Sequence, residues 1–388
     1  MVSRVYMDYN ATAPLLSCAK DAMILAMDEL GNPSSVHREG QMARRMINQA
    51  RAQVAHLCDA DPAHVTFVSG ATEAAYHLLT PDYKMGRSPI KVAKLYISAV
   101  EHPCVLSGGR FESGDVEIIA VDSQGRINLD ALQQALSNHD HEQGLPLLAL
   151  QVANNETGVL QPVEKALELA KAHKAITVLD AVQAVGKIEF SMGNIGADFV
   201  FISAHKLGGP KGVGAIISQG EVLMPKPLIS GGGHEKGHRG GTENLIGIAG
   251  FGASCLYAKE NIYNFYKFSK LRDQIEGNIS KIAPDIVIYG REVERISNTI
   301  CFSLPDTKSE TLQIAFDIDG IAASSGSACS SGKVGESHVL AAMGADTKAG
   351  ALRISTGHGT SDEEVKAFMS AFERINKRRL DRRKVAAA

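Results

Sequence analysis

The chain has 388 residues, of which 44% are hydrophobic and 21% are charged, and its formal net charge is −3 at pH 7. This length and apolar content predict one large hydrophobic core and a second, smaller unit. Because positive and negative residues are mixed along the chain, the composition argues against direct binding of nucleic acid.

The N-terminus and the cysteines indicate the compartment. The first six residues lack the apolar stretch of a secretory signal, and no later apolar run is long enough to cross a bilayer. The six cysteines are scattered without a CxxC pair, which argues against a disulfide framework and against a zinc ribbon. We therefore expect a cytoplasmic protein without a membrane partner.

The first part of the chain is predicted to be mainly helical. Residues 6–14 are an extended segment ended by a proline, and helices are predicted over residues 17–30 and 36–58. A strand follows at residues 65–68, and residues 69–73 form the turn that leads from it into another helix.

Strands and helices then alternate as far as residue 217. The predicted strands are residues 93–98, 116–121, 147–152, 176–179, 197–202 and 215–217. One predicted helix starts near residue 103, and three others cover residues 129–136, 163–173 and 181–185. This alternation indicates a mostly parallel sheet with helices on both faces, which binds ligands at the carboxyl ends of its strands.

The pattern changes after residue 242. A long helical stretch begins near residue 243, shorter strands follow at 286–289 and 299–303, and a last amphipathic helix starts near 362. We therefore predict an α/β protein with two domains. The large domain covers residues 15–258, and a smaller α/β domain combines residues 1–14 with 259–388.

Three residues at strand ends point to one chemistry. Lys206 follows the buried strand 197–202, where a lysine is costly unless its amine is used, and a desolvated amine readily forms a Schiff base. Asp180 ends the strand 176–179 at the same edge of the sheet, where a carboxylate keeps a pyridine nitrogen protonated. His102 reaches that edge too, where it can stack on a ring and move protons.

Two further segments complete this pattern. The turn at residues 69–72 precedes a helix, so its free N–H groups and the helix dipole suit a phosphate group. Cys329 lies among small and polar residues, which predicts an exposed mobile loop whose thiol can carry sulfur once it is activated. A lysine, an aspartate and a phosphate cup on separate elements are what pyridoxal phosphate chemistry requires.

Four local sequence matches suggest other kinds of site, and each of them is rejected. Residues 234–238 fit HExxH, but glycines flank them on both sides, so we expect a loop and no metal site. Residues 203–206 fit the SxxK of penicillin-recognising enzymes without its partner motifs. Residues 326–333 depart from P-loop spacing, and the glycines at 209–214 run into a strand without a dinucleotide fingerprint.

The chain resembles the group I (NifS/IscS-type) cysteine desulfurases, in the class V family of fold-type I pyridoxal phosphate enzymes. The motifs that carry the resemblance extend over nearly the whole chain. They are Asp8-Tyr9-Asn10-Ala11-Thr12, Gly31-Asn32-Pro33-Ser34-Ser35-Val36-His37, Ser69-Gly70-Ala71-Thr72-Glu73, Glu101-His102, Asn154-Asn155-Glu156-Thr157-Gly158, Asp180-Ala181-Val182-Gln183, Ser203-Ala204-His205-Lys206, Arg239-Gly240-Gly241-Thr242-Glu243-Asn244 and Ser324-Ser325-Gly326-Ser327-Ala328-Cys329.

This resemblance implies a fold-type I transferase that uses pyridoxal 5'-phosphate to remove sulfur from L-cysteine. The products are L-alanine and a persulfide on Cys329, whose sulfur passes to an acceptor protein in iron–sulfur cluster assembly or another sulfur-transfer pathway. A homodimer is also implied.

The resemblance also implies roles for single residues. Lys206 holds the cofactor as a Schiff base, Asp180 pairs with its ring nitrogen, and His102 stacks on the ring. The catalytic residues are Cys329, Lys206 and His102. The ring hydroxyl is assigned to Asn155 and Gln183, and the phosphate to Ala71, Thr72, Ser203, His205 and, from the second subunit, Thr242. The substrate is assigned to Arg353, which clamps its carboxylate, and to Asn155 and Asn32.

The chain departs from its relatives in two places. Glu73 is followed by Ala74-Ala75, where relatives often carry asparagine, and Cys104 lies close to His102, where we expect it to serve helix packing. One alternative function is a selenocysteine lyase on the same scaffold. Another is a catalytically idle sulfur carrier, which is disfavoured because no cofactor residue is missing.

Overall fold

The computed structural model describes residues 4–325 and 336–387. The strands are β1 (Val5–Tyr6), β2 (Val65–Val68), β3 (Asp82–Met85), β4 (Ser88–Ser98), β5 (Val116–Ile119), β6 (Leu145–Gln151), β7 (Ile176–Asp180), β8 (Phe199–Ser203), β9 (Gly214–Ser218), β10 (Leu223–Pro225), β11 (Val287–Ile288), β12 (Thr299–Ser303), β13 (Ile321–Ala322), β14 (Ser324–Ser325) and β15 (Leu352–Ser355). The helices are α1 (Ser17–Met27), α2 (Arg38–Cys58), α3 (Ala71–Leu78), α4 (Pro103–Leu106), α5 (Leu129–Ser137), α6 (Val163–Ala172), α7 (Met192–Ile195), α8 (Leu245–Glu260), α9 (Ile262–Ile282), α10 (Ser309–Ile318), α11 (His338–Ala342) and α12 (Asp362–Ala387). None of the helices in these two ranges is both long and apolar enough to cross a membrane.

A nine-stranded sheet forms the centre of the large unit. Its order is β10-β3-β4-β6-β7-β8-β9-β2, and β5 pairs with β4. The pairs β4–β5, β4–β6, β6–β7 and β7–β8 are parallel, whereas β3 and β9 run antiparallel to their neighbours. The prediction of a mostly parallel sheet in an α/β protein is therefore confirmed.

The central strands are apolar on both faces because helices cover both sides of the sheet. Every residue of β7 and of β8 is buried, as expected for parallel strands between helical layers. One hydrophobic cluster includes Val54, Leu132 and Phe251, and another includes Leu78 and Phe199. Polar side chains that follow these strands therefore emerge at one edge of the sheet.

The C-terminal part of the chain builds a separate small core. An antiparallel four-stranded sheet has the order β11-β12-β15-β14, and β1 pairs in parallel with β13. Its cluster contains Phe302, Phe316, Phe368 and Phe372, and the rings of Phe316 and Phe368 stack with centroids 5.2 Å apart. The domain boundaries 15–258 and 1–14 with 259–388 stay a prediction.

The helix predicted over residues 181–185 is wrong, because these residues form a turn. The side chain of Asp180 accepts the N–H of Val182 at 2.9 Å, and Gly186 has φ +78°. A carboxylate that bonds the backbone two residues on favours a turn over a helix, and glycine readily adopts positive φ.

The observed ends of several other elements differ from the predicted ones. The helix predicted over 17–30 ends at Met27, and the one predicted from residue 36 begins at Arg38, where the His37 side chain accepts the N–H of Gly40. The strand predicted at 116–121 ends at Ile119. The long helical stretch after residue 242 divides at Asn261 into α8 and α9.

Candidate active site

A cavity of about 550 Å³ lies at the carboxyl edge of the nine-stranded sheet. It forms where the chain leaves β6, β7 and β8, as expected for a largely parallel sheet. Nine of the predicted site residues line it: Ala71, Thr72, His102, Asn155, Asp180, Gln183, Ser203, His205 and Lys206.

Four predicted site residues are placed differently. Cys329 lies outside the described residues. Of the described ones, Asn32, Thr242 and Arg353 are not among the residues that line this cavity. Asn32 is exposed and accepts the N–H of Ser34.

Arg353 is buried beside the cavity. Its guanidinium donates to the backbone oxygen of Asn155 at 2.8 Å and to Asp8 Oδ1 at 2.7 Å, and the side chain is 1% exposed. Asn155 itself lines the cavity. Arg353, which is predicted to bind the substrate carboxylate, therefore lies behind Asn155 and binds the carboxylate of Asp8 instead.

Lys206 lies in a short 3₁₀ turn directly after β8. Its ammonium donates to the backbone oxygens of Asn10 at 2.6 Å and Ala11 at 2.8 Å. Burial and the nearby charge of Lys206 lower the pKa of His205 to about 4. This lysine thus lies at the strand end that the sequence predicted, held by the N-terminal segment.

Asp180 is the last residue of β7 and is 8% exposed. Burial raises its pKa to about 6, although the hydrogen bond from Val182 and the charge of Lys206 act in the opposite direction. A cationic ligand beside this carboxylate would lower its pKa again. The position therefore suits a protonated ring nitrogen.

His102 is held by the helix that it begins. Its Nδ1 accepts the N–H of Cys104 at 3.2 Å, and Cys104 Sγ lies 3.1 Å from the same nitrogen. Burial, followed by the charges of Lys206 and His338, lowers the pKa of His102 to about 4. Because Nδ1 is an acceptor, the neutral ring carries its proton on Nε2.

Cys104 is buried in α4, as helix packing predicts, and it also contacts the catalytic candidate His102. Burial raises the pKa of its thiol, and the neighbouring carboxyl groups of Asp180 and Glu101 act in the same direction. The thiol therefore stays protonated at neutral pH and does not compete as a nucleophile.

The residues predicted to form a phosphate cup lie at the start of α3. Gly70 precedes the helix with φ +155°, a conformation that favours glycine, and Ala71 and Thr72 are the first helical residues. Free N–H groups at such an end attract anions. Glu73, which also lines the cavity, accepts the N–H of Ser69 at 2.7 Å and pairs with Arg239, so its carboxylate already occupies one N–H of this turn.

Sequence reasoning missed two cations near this site. Lys211 lines the cavity, and Lys187 lies buried behind it, where its amine bonds the side chains of Gln183 and Asn10. The available signal for Lys187 was a lysine in an otherwise apolar stretch, between Gly186 and an isoleucine.

The aminotransferase class-V family model matches residues 5–368. The chain belongs to the class-V aminotransferase family. Within this family it is similar to a cysteine desulfurase from Cereibacter sphaeroides, with 36% identity over 382 residues that cover 96% of both chains. The cysteine desulfurase IscS 1 from Archaeoglobus fulgidus is 35% identical, over 96% of this chain and 97% of that one.

A solved structure has the same architecture. The NifS-like protein from Rickettsia africae superimposes with a TM-score of 0.86 at 32% identity, over 96% of this chain and 99% of that one. The predictions of a NifS/IscS-type enzyme, a fold-type I fold and dependence on pyridoxal phosphate are therefore confirmed.

Proposed function

We propose that this enzyme is a cysteine desulfurase that leaves L-alanine and carries the removed sulfur on Cys329. The observation that carries the proposal is the convergence of Lys206, Asp180 and His102 on one cavity. The curated relatives named cysteine desulfurase match nearly the whole chain, which supports this activity over a selenocysteine lyase.

The residues around the cavity fit pyridoxal 5'-phosphate. Lys206 supplies the amine that attaches it, and Asp180 supplies a buried carboxylate for the ring nitrogen. The start of α3, with Ser203 and His205, would hold its phosphate, and the amides of Gln183 and Asn155 would bind the ring oxygen. When bound, the cofactor withdraws electrons from the substrate α-carbon and so acidifies its α-proton.

Proton transfer falls to Lys206 and His102. An amine freed from the cofactor accepts the α-proton at Nζ, and the low pKa of His102 keeps its ring neutral at pH 7, with Nε2–H as a donor. Both groups line one cavity, so Lys206 can accept a proton and the neutral ring of His102 can donate its Nε2 proton at the same site.

Sulfur removal requires a thiolate. Cys329 attacks the substrate sulfur, so that a sulfur–sulfur bond forms while the bond from the substrate β-carbon to sulfur breaks. The electron pair of that bond stays on the β-carbon, which takes a proton to become the methyl group of alanine. The persulfide then passes its outer sulfur to an acceptor protein; iron–sulfur cluster assembly is one pathway that such a carrier serves.

Substrate binding is assigned to Arg353 with Asn155 and Asn32. Arg353 presents a planar fork that suits a carboxylate, and its present partner Asp8 is one. For Arg353 to clamp L-cysteine, the substrate carboxylate must replace or share that contact.

The decisive experiment is a single turnover of Cys329→Ser with L-cysteine, in which alanine is measured per active site. We expect the variant to bind cofactor and substrate but to form no alanine, whereas Cys18→Ser, at an exposed free thiol, keeps the full yield. Selenocysteine turnover can survive in Cys329→Ser because a selenol leaves more readily than a thiol. A normal alanine yield from L-cysteine would remove Cys329 from the mechanism.

The attachment site has its own test. Borohydride reduction of the holoenzyme, followed by peptide mapping, should place the cofactor on Lys206, and Lys206→Ala should lose the visible absorption of the attached cofactor. Attachment at another lysine would contradict the assignment.

A homodimer with shared sites is part of the proposal. Thr242 is exposed and stands apart from the cavity of its own chain. Leu25, Leu30 and Val36, in and after α1, are 67%, 94% and 85% exposed, and exposed large apolar side chains favour association when they lie together. We infer that a second copy covers these side chains and contributes its Thr242.

Heterodimers test the shared site. One subunit carries Thr242→Asp, which repels a phosphate, and the other carries Lys206→Ala. One of the two sites then escapes both lesions, so the heterodimer should recover about half of the wild-type activity, whereas each homodimer stays impaired. A fully active monomer in sedimentation would contradict the shared site.

A further inference from the structure

Lys187 is a buried cation without a role in the reaction described above. It follows the turn after β7 and is 4% exposed. Its Nζ donates to Gln183 Oε1 at 2.5 Å and to Asn10 Oδ1 at 2.8 Å. An ammonium group surrounded by amide oxygens is a costly way to fill space, so a purely structural role would suit an apolar residue better.

The electrostatic setting of Lys187 supports a specific role. Burial lowers its pKa well below the usual value, and the charges of Lys206 and Arg353 lower it further. Gln183 and Asn10, which accept hydrogen bonds from this amine, are neutral amides. The charged form of the Lys187 amine is therefore destabilised at this position.

The chemistry of lysine decides how its neighbours are oriented. The two ends of a glutamine amide have nearly the same shape, so the hydrogen-bond partners determine which end faces which group. Lys187 Nζ donates an N–H to Gln183, so the atom of Gln183 that faces it is the oxygen. The NH₂ group of Gln183 is therefore directed to the backbone oxygen of Asn10, at 2.9 Å.

The same argument applies to Asn10. Its Oδ1 accepts from Lys187 and from Asn298 at 3.2 Å, so its NH₂ donates to Thr299 Oγ1 at 2.8 Å. The backbone oxygen of Asn10 in turn accepts from Lys206 at 2.6 Å. One network thus connects the buried amine to the amine that attaches the cofactor.

We propose that Lys187 is a positioning residue, which holds the amide of Gln183 with its NH₂ as the donor to the cofactor ring oxygen and holds Asn10 against Lys206. This inference rests on the proposed function, because it assigns the partner of Gln183 in the same site. Gln183 lines the cavity, and its NH₂ has a second hydrogen besides the one donated to Asn10.

The test compares the binding of pyridoxal 5'-phosphate to apo-enzyme variants by absorbance titration. In Lys187→Met, Gln183 loses the donor that orients it, so we expect about tenfold weaker binding, the equivalent of one hydrogen bond, and a shifted visible band. Lys187→Arg keeps a donor-only group, and the cavity of about 370 Å³ that Lys187 also lines has room for the larger head. This variant should retain the wild-type band and most of the affinity.

A double-mutant cycle separates positioning from a general structural effect. In a Gln183→Ala background, Lys187→Met should weaken cofactor binding no further, because the amide through which it acts is absent. Additive losses, or a loss in Lys187→Arg as large as in Lys187→Met, would overturn the proposal. Thermal unfolding of each apo-variant verifies that it is folded. If the wild-type protein itself bound no cofactor, the proposed function would fail instead.

Discussion

At the cavity, the buried groups of Asp180 and Lys187 face a backbone N–H and amide oxygens, whereas in the C-terminal unit the buried Arg295 faces a carboxylate. Asp180 accepts the N–H of Val182, and Lys187 donates to two side-chain amides. In contrast, Arg295 forms two hydrogen bonds with Glu276, at 2.7 and 3.1 Å, and these side chains are 3% and 4% exposed.

This difference distinguishes buried charged groups that a ligand can pair with from buried charged groups that are already paired within the fold. A buried carboxylate or amine without an opposite charge next to it destabilises the apo-protein, but it interacts strongly with a ligand that supplies that charge. A buried arginine with a bidentate carboxylate has its partner already. The two regions should therefore respond in opposite ways when a charge is removed.

The largest expected effect is on the stability of the C-terminal unit. Glu276→Ala leaves the Arg295 guanidinium buried without its carboxylate, which should lower the free energy of unfolding by about 3–5 kcal/mol. Urea denaturation of the apo-protein measures it, and the activity per folded enzyme should stay close to wild type. The double variant Glu276→Ala/Arg295→Met should recover much of the loss, and a double variant as unstable as Glu276→Ala would show that charge pairing is not the cause.

The opposite response is expected at Asp180. Asp180→Asn retains an oxygen for the N–H of Val182 but removes a carboxylate whose pKa burial raises to about 6. At pH 8 the apo-variant should be as stable as wild type or more stable, by roughly 1–3 kcal/mol. Its rate of alanine formation should fall by roughly 10²–10³, the range found when one electrostatic stabiliser is removed from an active site. A marked loss of stability without a loss of rate would make Asp180 a structural residue.

The smallest effect concerns a buried group away from the cavity. His77 in α3 is 2% exposed, and burial followed by the charge of Arg110 lowers its pKa to about 4. Its contribution to stability is thus present above about pH 6.5 and is lost as the pH falls towards 4, because the unfolded chain binds the proton first.

His77→Gln removes this contribution. Between pH 6.5 and 4.5, the slope of the unfolding free energy against pH should decrease by up to about 1.4 kcal/mol per pH unit. This is the slope that corresponds to the uptake of one proton on unfolding. Urea denaturation at several pH values, run in parallel on wild type, measures the difference. Equal slopes would mean that His77 takes up its proton in the folded protein as readily as in the unfolded chain.

Much of the site was predictable because parallel strands bring their carboxyl ends to one edge. Asp180 and Lys206 follow predicted strands, and both line the cavity. The turn at residues 181–185 was not predictable from apolar spacing, which there also fits a helix. It depends on a hydrogen bond from the Asp180 side chain to the local backbone.

The sequence by itself determined the alternation of strands and helices in the large unit and the strand ends that carry Asp180 and Lys206, because hydrophobic periodicity is a local property. It also contained the motifs that identify the family. Only the tertiary structure decided that Lys187 meets Gln183 and Asn10 and that Arg353 meets Asp8, 345 positions away in the chain. Such partners are chosen by the packing of distant segments, since a buried polar group bonds whichever complementary atom the fold brings within reach.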